Sequence, residues 1–210
     1  DFNTDLDRLT NTSDGFVDEV HAMRNTYGAD LVELVINNSS SCGLAWLMSA
    51  NSPLFHPYGF SVAHHGCIAG NLTLAHEMGH NQGLEHDNVP SPPGPFPFSY
   101  ARGYNEASLV SPPVFPVRDI MAVSSPQPRQ QNFSNPAANW VSVARPSGTA
   151  DRNGALALDN ARVAVANFRP TATPVTSDHD GDRSSDILWR QSTGGAAIWL
   201  MNGTAVTGGG

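Results

Sequence analysis

Five positions in one eleven-residue stretch limit this chain more than anything else in it. His76, Glu77, His80, Gly83 and His86 form the pattern H-E-x-x-H-x-x-G-x-x-H, followed at once by Asp87. Four residues apart on a helix, His76 and His80 stack on one face, so both imidazoles reach one zinc at about 2.0–2.1 Å. Glu77 is rotated roughly 100° from His76, so it leans over a metal-bound water without ligating the metal. Gly83 can take the left-handed conformation that ends a helix, turning the chain back so that His86 becomes the third ligand. Three protein ligands leave a fourth position for water, which marks a catalytic rather than a structural zinc. A bare H-E-x-x-H also arises on ordinary polar helix faces; the extended pattern rarely does.

With these positions the stretch resembles the metzincin clan of zinc endopeptidases. The clan's second signature is a turn carrying Met beneath the zinc histidines. Asp119-Ile120-Met121-Ala122-Val123 is similar to it, which makes Met121 the residue expected to pack its soft thioether under the site. Asp87, beside the third ligand, is expected to support the site rather than to ligate or act as base. A gluzincin-like site with glutamate as third ligand conflicts with Gly83 and His86.

The remaining composition narrows the partner classes. The chain has 210 residues, a net charge of −8 and 11 basic residues, all of them arginine. No basic stripe for nucleic acid is present, and no apolar run approaches the roughly 18 residues of a membrane span. The start carries no signal-peptide pattern, so the chain reads as a mature form or a fragment. Cys42 and Cys67 are the only cysteines. They read either as two reduced thiols or as one disulfide of a secreted protein, and the metal motif and composition favour the bridge.

Taken in order, Asp14 to Tyr27 reads as a helix ended by Gly28, with Phe16, Val20 and Met23 at helical spacing. His21 reads as a packed helix residue. Leu31 to Ile36 reads as a strand covered on both faces, Cys42 to Met48 as a second strand and Phe60 to His64 as a third. His64 and His65 should alternate faces and form a polar rim near a cleft. Asn71 should cap the zinc helix, with Leu74 and Met78 toward the core. This order resembles the later part of a metzincin upper subdomain, with the reprolysin-like branch, including bacterial secreted members, as the nearest likeness. The resemblance implies that Gly43, Leu44 and Ala45 belong to an edge strand along the cleft, where a peptide substrate adds as a further strand. It also implies a strand–helix–strand unit ahead of Asp1, hence an N-terminally truncated fragment.

Ten of the 16 prolines lie between Pro90 and Pro128, which predicts loops and short extended pieces forming a lower subdomain. Ser99–Tyr104 and Asn132–Pro136 resemble segments that wall the cleft in bacterial relatives. Asp151 to Phe168 reads as a closing helix with Leu158, Ala161, Val165 and Phe168 inward. Pro170 to Thr176 is then a stiff linker. Beyond it Asp178, Asp180, Asp182 and Asp186 have the spacing of loop ligands for calcium, with Gly181 between them. Ile187–Arg190 and Ala197–Leu200 read as a hairpin, and the segment looks like one FG-GAP/VCBS-type repeat.

The expected fold is therefore α/β (α+β): a metzincin-like catalytic domain with a mixed sheet, a zinc-binding helix, a loop-rich lower subdomain and a C-terminal helix. The expected division is a peptidase domain over 1–169, a linker over 170–176 and a partial calcium-binding β repeat over 177–210. The function that follows is a secreted, extracellular zinc endopeptidase acting on proteins or peptides through Glu77 and a zinc-activated water. The alternative is a calcium-dependent adhesion or carbohydrate-binding module with an inert peptidase-like part.

Overall fold

A three-stranded mixed sheet frames the site in the computed structural model, which describes residues 1–88, 96–106, 116–124, 126–169, 187–190, 196–202 and 205–209. The chain divides into two compact units, Asp1–Pro170 and Thr171–Gly210. In the first, β1 (Val32–Ile36) runs parallel to β3 (Phe60–His64), and β2 (Gly43–Ala45) runs antiparallel to it, in the order β1-β3-β2. The central strand is buried up to its last residue: Phe60, Ser61, Val62 and Ala63 are all sealed from solvent. Expected and observed spans agree for β3. The second strand is shorter than expected, and β1 is only half-buried, with Val35 exposed, because among the described residues it has a strand neighbour on one side alone.

Helix α1 (Phe2–Thr10) was not foreseen from the sequence. Phe2, Leu6 and Leu9 repeat at helical spacing and bury against Phe60 and Val62, and Asp1 caps the helix by accepting from the Thr4 amide. Helix α2 (Glu19–Tyr27) begins five residues later than predicted. Asp14 accepts from the Phe16 amide and Asp18 from the Gly15 amide, and Val17 has φ 50°. These short side chains capture backbone N–H groups that a helix would need. Phe16, outside the helix, and Met23, within it, are both exposed rather than packed, and Phe16 lies under the Arg8 guanidinium at 3.6 Å. Gly28 ends α2 in the left-handed region as expected. His21 packs edge-on to Phe60, as a helix residue should.

Helix α3 (Thr73–Asn81) carries the first two motif histidines. Its cap position is Leu72, in the left-handed region with no side-chain cap bond, and not Asn71. The Asn71 side chain is turned toward Cys42 Sγ, and its carbonyl accepts from Arg129. Leu74 is exposed and Met78 half-buried, so the predicted core face of this helix is wrong. The buried face is instead the one bearing the polar motif, His76, Glu77, Gly79 and His80. Buried Asn81 fastens the helix end to the sheet by donating to the carbonyls of Trp46 and Phe60, at 2.8 and 3.0 Å.

Beyond α3 the described chain consists of short bridges and turns, as the prolines predict, down to α4 (Gly154–Val165). Asn153 caps α4, whose Ala161 and Val165 pack with Phe168 on Met48. The span is shorter than Asp151–Phe168, and Leu158 is only half-buried.

The second unit holds β4 (Ile187–Arg190), β5 (Ala196–Asn202) and β6 (Ala205–Gly209) in an antiparallel sheet of that order. The expected hairpin is present as β4 and β5. The linker and the calcium candidates Asp178, Asp180, Asp182 and Asp186 lie outside the described residues.

Candidate metal centre and active site

The three motif histidines converge. His76 Nε2 and His80 Nε2 lie 3.0 and 3.1 Å from His86 Nε2. Tetrahedral ligands at 2.0–2.1 Å from one metal are about 3.3 Å apart, close to this spacing. Gly83, at φ +87°, makes the convergence possible. Its amide donates to the His80 carbonyl and that of Leu84 to the Gly79 carbonyl, turning the chain back toward His86. A methyl on Gly83 would lie 2.4 Å from Pro97 Cγ, so space as well as φ requires glycine.

The outer nitrogens decide the tautomers. His76 Nδ1 faces the Ile120 carbonyl and His80 Nδ1 the Leu84 carbonyl, each at 2.8 Å. A carbonyl only accepts, so both Nδ1 atoms carry the proton and both Nε2 atoms present lone pairs inward. Two such lone pairs converging on a third imidazole nitrogen make a donor set suited to a cation. Burial first, and then the neighbouring histidines, push His76 down to about 3 and His80 down to about 4. Burial also lowers His86, so the three rings are neutral and ready to ligate near pH 7. Among the described residues these three form the sole cluster able to hold a metal ion. The site is compatible with zinc.

Met121 lies where the resemblance implies. It is buried, and its sulfur would touch a methyl placed on Gly79 at 2.7 Å, so it packs directly against the helix between the two histidines. Fully buried Asp119 locks that turn by accepting from the amides of Ala122 and Ser134, at 2.8 and 3.0 Å. Burial pushes its carboxyl up to about 7 against those bonds. Asp87 clasps the far end of the same turn. Its carboxylate accepts from the amides of Val123 and Ser124, from Asn105 and from the Ser124 hydroxyl. Those bonds outweigh burial and hold Asp87 below the usual carboxylate range.

A cleft of about 400 Å³ opens on the histidines, lined by Gly43, Leu44 and Ala45 of the edge strand on one side and by Val123 and Arg129 beyond Met121. Glu77 lies in it, its carboxylate so close to Gly43 that a Cβ there would meet Oε1 at 2.3 Å. Burial, helped by the charge of Glu33 and opposed by Arg129, pushes Glu77 up to about 8. The Cys42–Cys67 disulfide is formed, with Cα atoms 5.5 Å apart, and Cys42 joins the cleft wall.

Three expectations fail here. Ser99–Tyr104 and Asn132–Pro136 are absent from the cleft lining; they stand behind the Met121 turn, with Ser134 Oγ donating to the Arg102 carbonyl and Gly103 pressed on Ala122. His64 and His65 are also absent from it. Their rings meet at 4.5 Å instead of diverging, because β3 ends at His64 and a 3-10 turn (His65–Cys67) begins. Two residues of the site escaped notice in the sequence, Asn81 and Arg129. Asn81 was legible as part of the motif helix; Arg129 carried no local signal.

Residues 2–87 match metallopeptidase family M12B, reprolysin-like. Over 171 residues, 80% of the chain, it is 36% identical to a peptidyl-Asp metalloendopeptidase of Xanthomonas campestris, and equally to one of Stenotrophomonas maltophilia. A Pseudomonas aeruginosa protein of the same name is 28% identical over 197 residues. The chain spans 38% and 39% of the length of the first two relatives. No solved structure matches it significantly. The segment over residues 2–87 is thus similar to reprolysin-like M12B metallopeptidases, and the chain is similar to peptidyl-Asp metalloendopeptidases.

Proposed function

We propose that this chain is the catalytic part of an exported zinc metalloendopeptidase that cleaves proteins at bonds beside aspartate, as the names of its relatives say of them. The observation that carries the reading is the convergence of three imidazole nitrogens beside the Glu77 carboxylate in a cleft walled by an edge strand. His76, His80 and His86 are the residues that would hold the zinc. When bound, it would polarise the scissile carbonyl and acidify a water there.

Everything else is done by the chain. Among the described residues the Gly43–Ala45 strand has no strand partner on its outer side, so its backbone groups can pair with an extended peptide and align the bond over the histidines. Glu77 takes the proton of the attacking water on its carboxylate and passes it to the leaving amine nitrogen. Ile120 and Leu84 fix the imidazoles through their carbonyls, and Met121 supports the helix beneath. Export is supported by the disulfide, which persists in oxidising compartments. No described helix is long and apolar enough to cross a membrane. Calcium at Asp178, Asp180, Asp182 and Asp186 remains a proposal from their spacing.

The test is reversible metal dependence. Dialysis against a chelator should remove one zinc per chain and abolish cleavage of an unfolded protein substrate, and added zinc should restore both. Undiminished cleavage after zinc removal would refute the reading.

A further inference from the structure

Among the described residues the cleft contains one permanent cation. Of its lining residues only Arg129 is an arginine, and the chain has no lysine. The guanidinium is pinned by neutral groups: Nη1 donates to the Asn71 carbonyl just ahead of α3, and Nη2 to the Ala122 carbonyl just after Met121, at 3.2 Å. These bonds use two of its five N–H donors. Buried Nε has no partner, and no carboxylate lies within 4.0 Å among the described residues. Burial and then the charge of neighbouring Arg118 lower Arg129 to about 10, so it is charged at neutral pH, with Asp119, Glu77 and Asp87 opposing them only from a distance. By contrast, the cleft's Glu85 already accepts from the His86 amide at 2.8 Å.

A half-buried cation with neutral partners, fixed in orientation and facing a peptide cleft, is a receptor for an anion. Its position beside the histidines puts that anion on the residue at the bond being cut. We propose that Arg129 receives the side-chain carboxylate of the substrate's aspartate and thereby selects the bond. The assignment rests on the peptidase reading above. Arg129 acts here by binding substrate, and the carbonyl contacts hold it ready, so little ordering is lost when the carboxylate arrives.

The experiment uses the zinc-loaded full chain and three quenched peptides identical except for one central Asp, Asn or Lys among Ala and Ser. Wild type should cleave the Asp peptide with kcat/KM at least roughly 30-fold above the Asn peptide, the worth of a buried charged contact. Arg129→Gln should erase that ratio mainly through KM. Arg129→Glu should turn the preference toward Lys. Equal cleavage of Asp and Asn peptides by wild type would overturn the proposal. So would an equal loss on all three peptides in Arg129→Gln, the mark of a residue that only fastens two carbonyls or tunes Glu77. Should that variant not fold, Arg129→Lys decides: it keeps the charge without the fork, and an unchanged Asp-to-Asn ratio would contradict the assignment. If wild type cleaves nothing, the peptidase reading fails separately, and calorimetry then tests Arg129. Tighter binding of the Asp peptide than the Asn peptide, lost in Arg129→Gln, supports the assignment; equal binding refutes it.

Discussion

A methyl on Gly79 would lie 2.7 Å from the Met121 sulfur, and one on Gly43 would lie 2.3 Å from Glu77 Oε1. Both glycines are therefore defined by what approaches them and not by their backbone angles. The histidines, Glu77 and Met121 were legible because fixed spacing on one helix, plus one turn, encodes them. Gly43 was legible only as part of an edge strand; its fit to Glu77 depends on strand and helix meeting in space. This gives a selective prediction. In Gly43→Ala the flexible carboxylate can move aside, so stability should hardly change. A misplacement of about 1 Å should nonetheless lower kcat about 100-fold with zinc retained. Melting temperature, zinc content and kcat, measured together, check it; an unchanged kcat would show that Glu77 is not held at Gly43.

Among the elements, β1 carries an uncomfortable group. Glu33 stands opposite Ser61 in the parallel register of β1 and β3, accepts its hydroxyl at 3.1 Å, and keeps Oε1 buried without a partner. Burial raises its carboxyl to about 7 despite that hydrogen bond. The folded state thus holds this proton more tightly than the unfolded chain does. Its contribution to stability is full below the ordinary glutamate value of 4.5 and is lost as pH rises through about 7. Glu33→Gln should remove that dependence. Its melting temperature should gain on wild type between pH 5 and pH 8, and a constant difference across that range would contradict the burial argument. Elements were legible where local pattern decided them, as for β3, the β4–β5 hairpin and most of α4. They were misjudged where side chains competed with the backbone, as Asp14 and Asp18 do ahead of α2. Leu74 and Met78 misled because a catalytic helix buries its polar face.

At the scale of the whole molecule, the Cys42–Cys67 bridge ties the start of the edge strand to the turn before α3, closing a 25-residue separation. Restricting the unfolded chain over such a loop is worth about 3.5 kcal/mol. The double variant Cys42→Ser, Cys67→Ser should melt at least several degrees lower; an equal melting temperature would show that the bridge contributes no stability. The mixed sheet, the motif helix and the irregular lower part were readable as an architecture, whereas the cleft's charge was not, because Arg129 reaches it from far along the chain. The central claim is that the histidines hold the metal and Glu77 moves the proton. Its most direct test measures zinc content and peptide cleavage together in wild type and Glu77→Ala. The account predicts one zinc in both proteins and a loss of roughly 10²–10⁴-fold or more in kcat for the variant. An active wild type with an equally active, zinc-loaded Glu77→Ala would contradict it.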